Sequence, residues 1–379
     1  MITAARNLTA KALRRLQQLP KPFVRRMRRA ARARERMDRF VAAASVEREI
    51  AAVTESGLPI VAGPWLAEVG YEALYWVPFL RWFQDAYRLR PDQLTVISRG
   101  GVEWWYRGIA DSYVELFDAF SPSELALANA ERQEREERGG RKQSSSGSLD
   151  AQVIDRLRGR LPERHAVLHP SLMFRLFRNV WHGGLPLDFL WSHTDYVRLE
   201  RPALSSVEGP PALPFDLPAN YVAVKFYTGQ AIPDTAESRE ALRSVVERIA
   251  ESQPVVLLDT GFAVDDHADY VFGGLRNVIN AQRWMTPRTN LGVQTALIAH
   301  ARYFLGTCGG LVWLAPFFGV PAIGVYADDR QLAPHLLTMR QVSRRIGTAD
   351  LSLLDLRALA RVGGTSPALF GHGGYGGNG

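Results

Sequence analysis

The chain of 379 residues is long enough for two domains, and its 46% hydrophobic and 22% charged content is that of a protein with a real buried core. Its one cysteine, Cys308, excludes an internal disulfide and a cysteine-cluster metal site, and no run of about 18 apolar residues is present to span a bilayer. The formal charge of +7 is unevenly placed: residues 1–40 carry 13 Lys/Arg against Glu35 and Asp38, which leaves the remainder net acidic and argues against a nucleic-acid-binding body.

The N-terminus lacks the apolar core of a secretory signal, so a cytoplasmic protein is expected, although an Arg-rich, acid-poor start also fits a mitochondrial targeting sequence. Pro20 and Pro22 divide the basic arm. Residues 11–39 read either as a solvated or docked basic helix or as a contact with an anionic membrane surface; no nucleic-acid partner is expected. Strand-like runs follow at 58–63, 93–101 and 165–170, with a helix at 71–89 after the first. Residues 131–148, charged and then Ser/Gly-rich, read as a mobile insertion, and the Pro-rich 202–218 as an interdomain linker. A second series then alternates strands at 221–227, 254–261, 303–307 and 321–327 with helices at 238–252, 291–301, 311–319, 334–347 and 351–361. Continuous apolar strands between helices mark parallel sheets covered on both faces.

Ligands of such sheets bind beyond the carboxyl ends of the strands. Thr307, Cys308, Gly309 and Gly310 stand where a strand gives way to a helix. Glycines there let backbone approach an anion, and helix N–H groups attract phosphate; the plainer reading is a tight corner. Lys225, Thr228 and Gly229 close another strand, where a lysine can offset the charge of an anionic ligand or merely end the strand. Asp259 and Thr260 are candidate nucleotide contacts, and 282–290 a candidate wrap for a base or ribose. Arg99, Trp104 and His169 suit a sugar, though most such tryptophans are core. The His residues are scattered, no metal is expected, no GxGxxG follows the first strand, and no P-loop or GxSxG pattern is present.

Two stretches carry a family resemblance. "TNLGVQTALIAHARYFLGTCGGLVWLAPFFGVPAIGVYA" (289–327) is similar to the donor-binding half of B-type-fold glycosyltransferases, notably the heptosyltransferase-like family, through its small-residue turn, the helix start at Gly310-Leu311 and Gly319-Val320-Pro321. Cys308 and Trp313 stand where that family has Asp and His. "EVGYEALYWVPFLRWF" (68–83) resembles the family's first-half motif, with Glu72 six residues before Pro78 in the slot of the catalytic acid and Glu68 in reserve on the same turn. A plainer account of Glu72 is an acid favourable to the helix dipole.

The resemblance implies an α/β protein of two Rossmann-like domains facing across a cleft: a basic arm (1–44), an acceptor domain (45–205), a donor domain (219–363) and a Gly-rich tail (364–379). It implies a metal-independent, inverting transferase moving sugar from a nucleotide-sugar to a glycan or lipid-linked acceptor. Glu72 would be the base, Arg99, Trp104 and His169 would bind the acceptor, and Lys225, Thr228 and the turn from Thr307 to Leu311 would hold the leaving diphosphate. A non-catalytic nucleotide- or glycan-binding protein, or a nucleotide-sugar epimerase, on the same fold are the alternatives.

Overall fold

The computed structural model describes residues 21–135, 143–204, 217–262, 267–330 and 332–358, the side chains of 21–24 and 132–135 excepted. The start of the arm, most of the expected linker and the tail lie outside these residues.

A long helix, α1 (Lys21–Glu55), precedes the first sheet. That sheet consists of β1 (Ile60–Ala62), β2 (Leu94–Ser98), β3 (Ser112–Glu115) and β4 (Ala166–Leu168) in the order β3-β2-β1-β4, all parallel. Its helices are α2 (Val69–Tyr71), α3 (Val77–Ala86), α4 (Pro122–Arg135), α5 (Ser148–Arg156), α6 (Pro170–Trp181) and α7 (Leu187–Trp191). Within the stretch read as a mobile insertion, Gln143 is fully buried and holds Leu66 N–H, Pro64 O and Asp150.

The second sheet holds β5 (Val222–Lys225), β6 (Val255–Leu257), β7 (Val278–Asn280), β8 (Tyr303–Thr307), β9 (Ala322–Tyr326) and β10 (Leu351–Asp355) in the order β10-β9-β8-β5-β6-β7, again all parallel. It is flanked by α8 (Ala236–Ala250), α9 (Asn290–Ala299), α10 (Gly310–Leu314) and α11 (Ala333–Ile346). Two Rossmann-like α/β units result. The expected helix over 351–361 is corrected: Leu351–Asp355 pairs with β9 as an edge strand.

The first-half motif folds as one bent helical stretch. Between α2 and α3, Glu72–Trp76 form a π turn, closed by Val77 N–H donating to Glu72 O. Pro78 has no N–H to donate, which would leave the Leu74 carbonyl without its helical partner. Tyr196 OH donates to that carbonyl at 2.9 Å, and Pro78 O accepts from Asp195 N–H at 2.9 Å. The segment after α7 thus stitches the bend in place.

The two halves are not separate bodies. One apolar cluster includes Trp65, Trp76 and Trp105 of the first half with Leu291, Trp313 and Phe318 of the second. Backbones touch where only glycine fits: a Cβ on Gly70 would lie 2.8 Å from Gly310 N, and one on Gly292 would lie 2.5 Å from Gly101 O. Neither neighbour is a side chain that can swing aside. Gly70→Ala should therefore cost about 1–3 kcal/mol of stability, read as a lowered urea midpoint; an unchanged midpoint would show that the seam is loose.

Candidate functional site

The carboxyl ends of both sheets open on one cleft. The first half contributes Glu68 and Gly70 at the start of α2, and Arg99 just after β2. From the second half come Lys225 and Tyr227 at the end of β5, Thr260 and Asp269 after β6, Asn290 and Gln294 on α9, and Gly310 and Leu311 on α10. Phe117 and Phe262 add aromatic surface.

Arg99 is held from behind. Glu115, at the end of β3, accepts from Gly100 N–H and Gly101 N–H at 2.9 Å each and from Tyr113 OH at 2.9 Å, fixing the turn that follows Arg99. Arg99 itself donates to Ala67 O at 3.3 Å. Lys225 pairs with Asp269 at 2.9 Å and donates to Leu258 O at 3.0 Å, while Thr260 donates to Asp269 through its N–H at 2.7 Å and its hydroxyl at 3.0 Å. Charges in the cleft therefore balance: Glu68 and Asp269 against Arg99 and Lys225. A charged ligand here would be selected by geometry more than by net field.

The two candidate acids part company. Glu68 lines the cleft. Glu72 lies one turn further on, fully buried, and does not line it. Its Oε1 accepts from Ser98 and from Tyr106 OH, the latter at 2.5 Å, and its Oε2 has no hydrogen-bond partner among the described residues. Burial pushes the Glu72 carboxyl up to about 7, against the opposing pull of those two hydroxyls and of Arg99.

The 307–310 turn is more enclosed than its sequence suggests. Thr307 Oγ1 accepts from Tyr227 N–H at 2.9 Å and donates to Tyr227 O at 3.1 Å, tying β8 to β5. Cys308 is buried, and burial pushes its thiol up to about 12, so it is no thiolate nucleophile near neutrality. Gly309 and Gly310 take positive φ (122° and 43°) beneath the Tyr227 ring, whose hydroxyl is within 3.2 Å of where either Cβ would sit. Trp313 packs under Gly70. Both departures from the family motif thus point into the core or the seam.

Other expected residues lie around the cleft or away from it. Thr228 and Gly229 do not line it; Thr228 exchanges backbone and side-chain bonds with His267 and Ala268. Asp259 is buried behind Thr260, bonded to Asn280 at 2.9 Å, its pKa raised by burial. Trp104 donates to Glu200 O at 3.0 Å under the Arg107 guanidinium, and lines no part of the cleft. His169 caps α6, accepting from Ser171 N–H at 3.1 Å, with its other nitrogen 3.0 Å from Asp150. Asn290, the last residue of the expected 282–290 wrap, lines the cleft, whereas Tyr227, Asp269 and Gln294 were not singled out by the sequence reading. The available signal was Gln294, an amide one turn after Asn290 in the otherwise largely apolar α9. Among the described residues, no group of three or more His, Cys, Asp or Glu is placed to hold a metal ion.

No protein-family model matches the chain, and no curated protein matches it. Among solved structures it is similar to the iron-containing dodecameric glycosyltransferase TibC of enterotoxigenic E. coli H10407, at 14% identity and a TM-score of 0.37 over 71% of this chain and 58% of that one. The chain thus spans 58% of the length of TibC. It is also similar to the family 9 glycosyl transferase of Veillonella parvula DSM 2008, at 12% identity and a TM-score of 0.40 over 84% of this chain and 91% of that one. For the glycosyltransferase SnogD of Streptomyces nogalater the values are 15%, 0.37, 79% and 86%. These likenesses are distant, and the fold assignment rests on the two parallel sheets themselves.

Proposed function

We propose that the protein is a glycosyltransferase that moves a sugar from a nucleotide-sugar donor to a glycan or lipid-linked acceptor, with inversion and without a metal. The observation that carries this reading is a cleft at the carboxyl ends of both sheets, lined by Glu68 and Arg99 of one half, Lys225 of the other, and aromatic side chains. Phe117, Tyr227 or Phe262 would stack on the base. Arg99 and Lys225 would offset charge on the departing diphosphate, with Gly310 and Leu311 beside it. Glu68, rather than the sealed Glu72, would take the proton of the acceptor hydroxyl. We also place the protein at the cytoplasmic face of a membrane, through its basic arm.

A second reading, a binder without catalysis, is favoured by one observation: Cys308 and Trp313 are turned away from the cleft. Titration calorimetry with UDP-, GDP-, ADP- and CMP-sugars, followed by turnover of any ligand found, separates the readings. We expect saturable binding of one nucleotide class and, once acceptor is added, release of the matching nucleotide: the nucleoside diphosphate from a UDP-, GDP- or ADP-sugar, or CMP from a CMP-sugar. Binding with no turnover would leave the second reading, and no binding at all would overturn both.

A further inference from the structure

Only the second half of α1 belongs to the body. Ala43, Val46 and Ile50 are buried, and Glu47 and Glu49 pair with His193 and Arg175. From Arg25 to Asp38 every residue is exposed, an overhang of about 20 Å at the rise of an α-helix.

Two sides separate along this overhang. At about 100° per residue, Met27, Met37 and Val41, with Ala30 and Ala44, fall on one side. These three large side chains are 59%, 62% and 60% exposed. Arg25, Arg28, Arg29, Arg32, Arg36 and Arg39 gather on the opposite side, in line with Ala43, Val46 and Ile50. The apolar stripe therefore faces away from the body. Arg34 lies within the stripe and Arg26 at its edge; their apolar stems can lie along it while the heads lift to a polar boundary.

We infer that α1 lies in the plane of an anionic bilayer, with Met27, Met37 and Val41 sunk to the level of the headgroups and the arginines within about a Debye length of the lipid phosphates. Among the described residues no helix is long and apolar enough to cross a membrane, so this is a surface contact. A nucleic acid would answer the arginines but leave the stripe in water. A second copy of α1 would answer the stripe, but Arg34 and Arg48 recur seven and twenty-one residues after Met27, placing cations in the seam of any helix pair. Because α1 runs unbroken into the core, the contact sets how the body stands on the membrane instead of tethering it loosely. This deepens the membrane placement above, yet its test uses no turnover and stands or falls apart from the transferase reading.

The test is flotation of the full chain with vesicles of phosphatidylcholine alone or mixed equally with phosphatidylglycerol. The wild type should float with the mixed vesicles and stay behind with the neutral ones. The Met27→Glu/Met37→Glu/Val41→Glu variant should lose at least about tenfold in partition, with an unchanged melting temperature because all three side chains are exposed. Equal flotation of variant and wild type would overturn the inference, since charge alone would then suffice. So would no flotation of the wild type, binding of duplex DNA that survives the triple replacement without flotation, or a concentration-dependent dimer in place of vesicle binding.

Discussion

Between pH 4.5 and 8 the wild-type protein should lose about 3 kcal/mol of stability that its Glu72→Gln variant does not lose. The Glu72 carboxyl, with an ordinary value of 4.5, is held at about 7 by burial. Below 4.5 it is protonated whether the chain is folded or not. Above 4.5 the unfolded chain surrenders the proton while the folded protein keeps it to about 7, so the folded state binds more protons and stability declines as pH rises. Beyond about 7 both states are ionised and the loss is complete, at about 1.4 kcal/mol for each pH unit of displacement. The glutamine of the variant would still accept from Ser98 and Tyr106 through its carbonyl, and its poorly matched amide nitrogen imposes an offset that does not vary with pH. Carboxylates held low, such as Asp150, tilt the curve the other way in both proteins. The difference between the two urea-unfolding curves at pH 5, 6, 7 and 8 therefore isolates Glu72, and parallel curves would remove the buried carboxyl from the account.

Sugar transfer by Glu68→Gln should be slower than by wild type by a factor of about 10² to 10⁴, the range for a lost general base. KM for the donor should barely move, because the amide keeps the shape of the carboxyl and Glu68 is not among the proposed donor contacts. Glu72→Gln provides the contrast, with turnover expected within a few-fold of wild type. The pair decides between two acids four residues apart. If the Glu72 variant is dead and the Glu68 variant active, the buried carboxyl is the base and the cleft must open much further than its present geometry.

Central strands were readable in the sequence because strands covered on both faces are continuous apolar runs, as in Tyr303–Thr307 and Val222–Lys225. The strands that escaped, Ser112–Glu115, Val278–Asn280 and Leu351–Asp355, all lie at sheet edges. There one side is open, polar residues intrude, and the apolar pattern is too short to separate strand from helix. The cleft was readable only at strand ends. Asp269 reaches Lys225 across 44 residues, a contact no local pattern announces. Glu68 and Glu72 share a helical turn, and spacing alone put Glu72 first; the π turn, which carries Glu72 inward onto Ser98 and Tyr106 and leaves Glu68 on the cleft, is not legible in the sequence.

The apolar cluster shared by the two halves has a thermodynamic consequence. Opening the seam would expose Trp105, which donates to Thr295 across it, and Trp313, which packs under Gly70, so neither half has a stable state of its own to fall back on. Heating should give one calorimetric endotherm whose measured enthalpy equals its van't Hoff enthalpy, as for a single cooperative unit. A chain cut in the linker should yield two fragments that fold only in each other's presence.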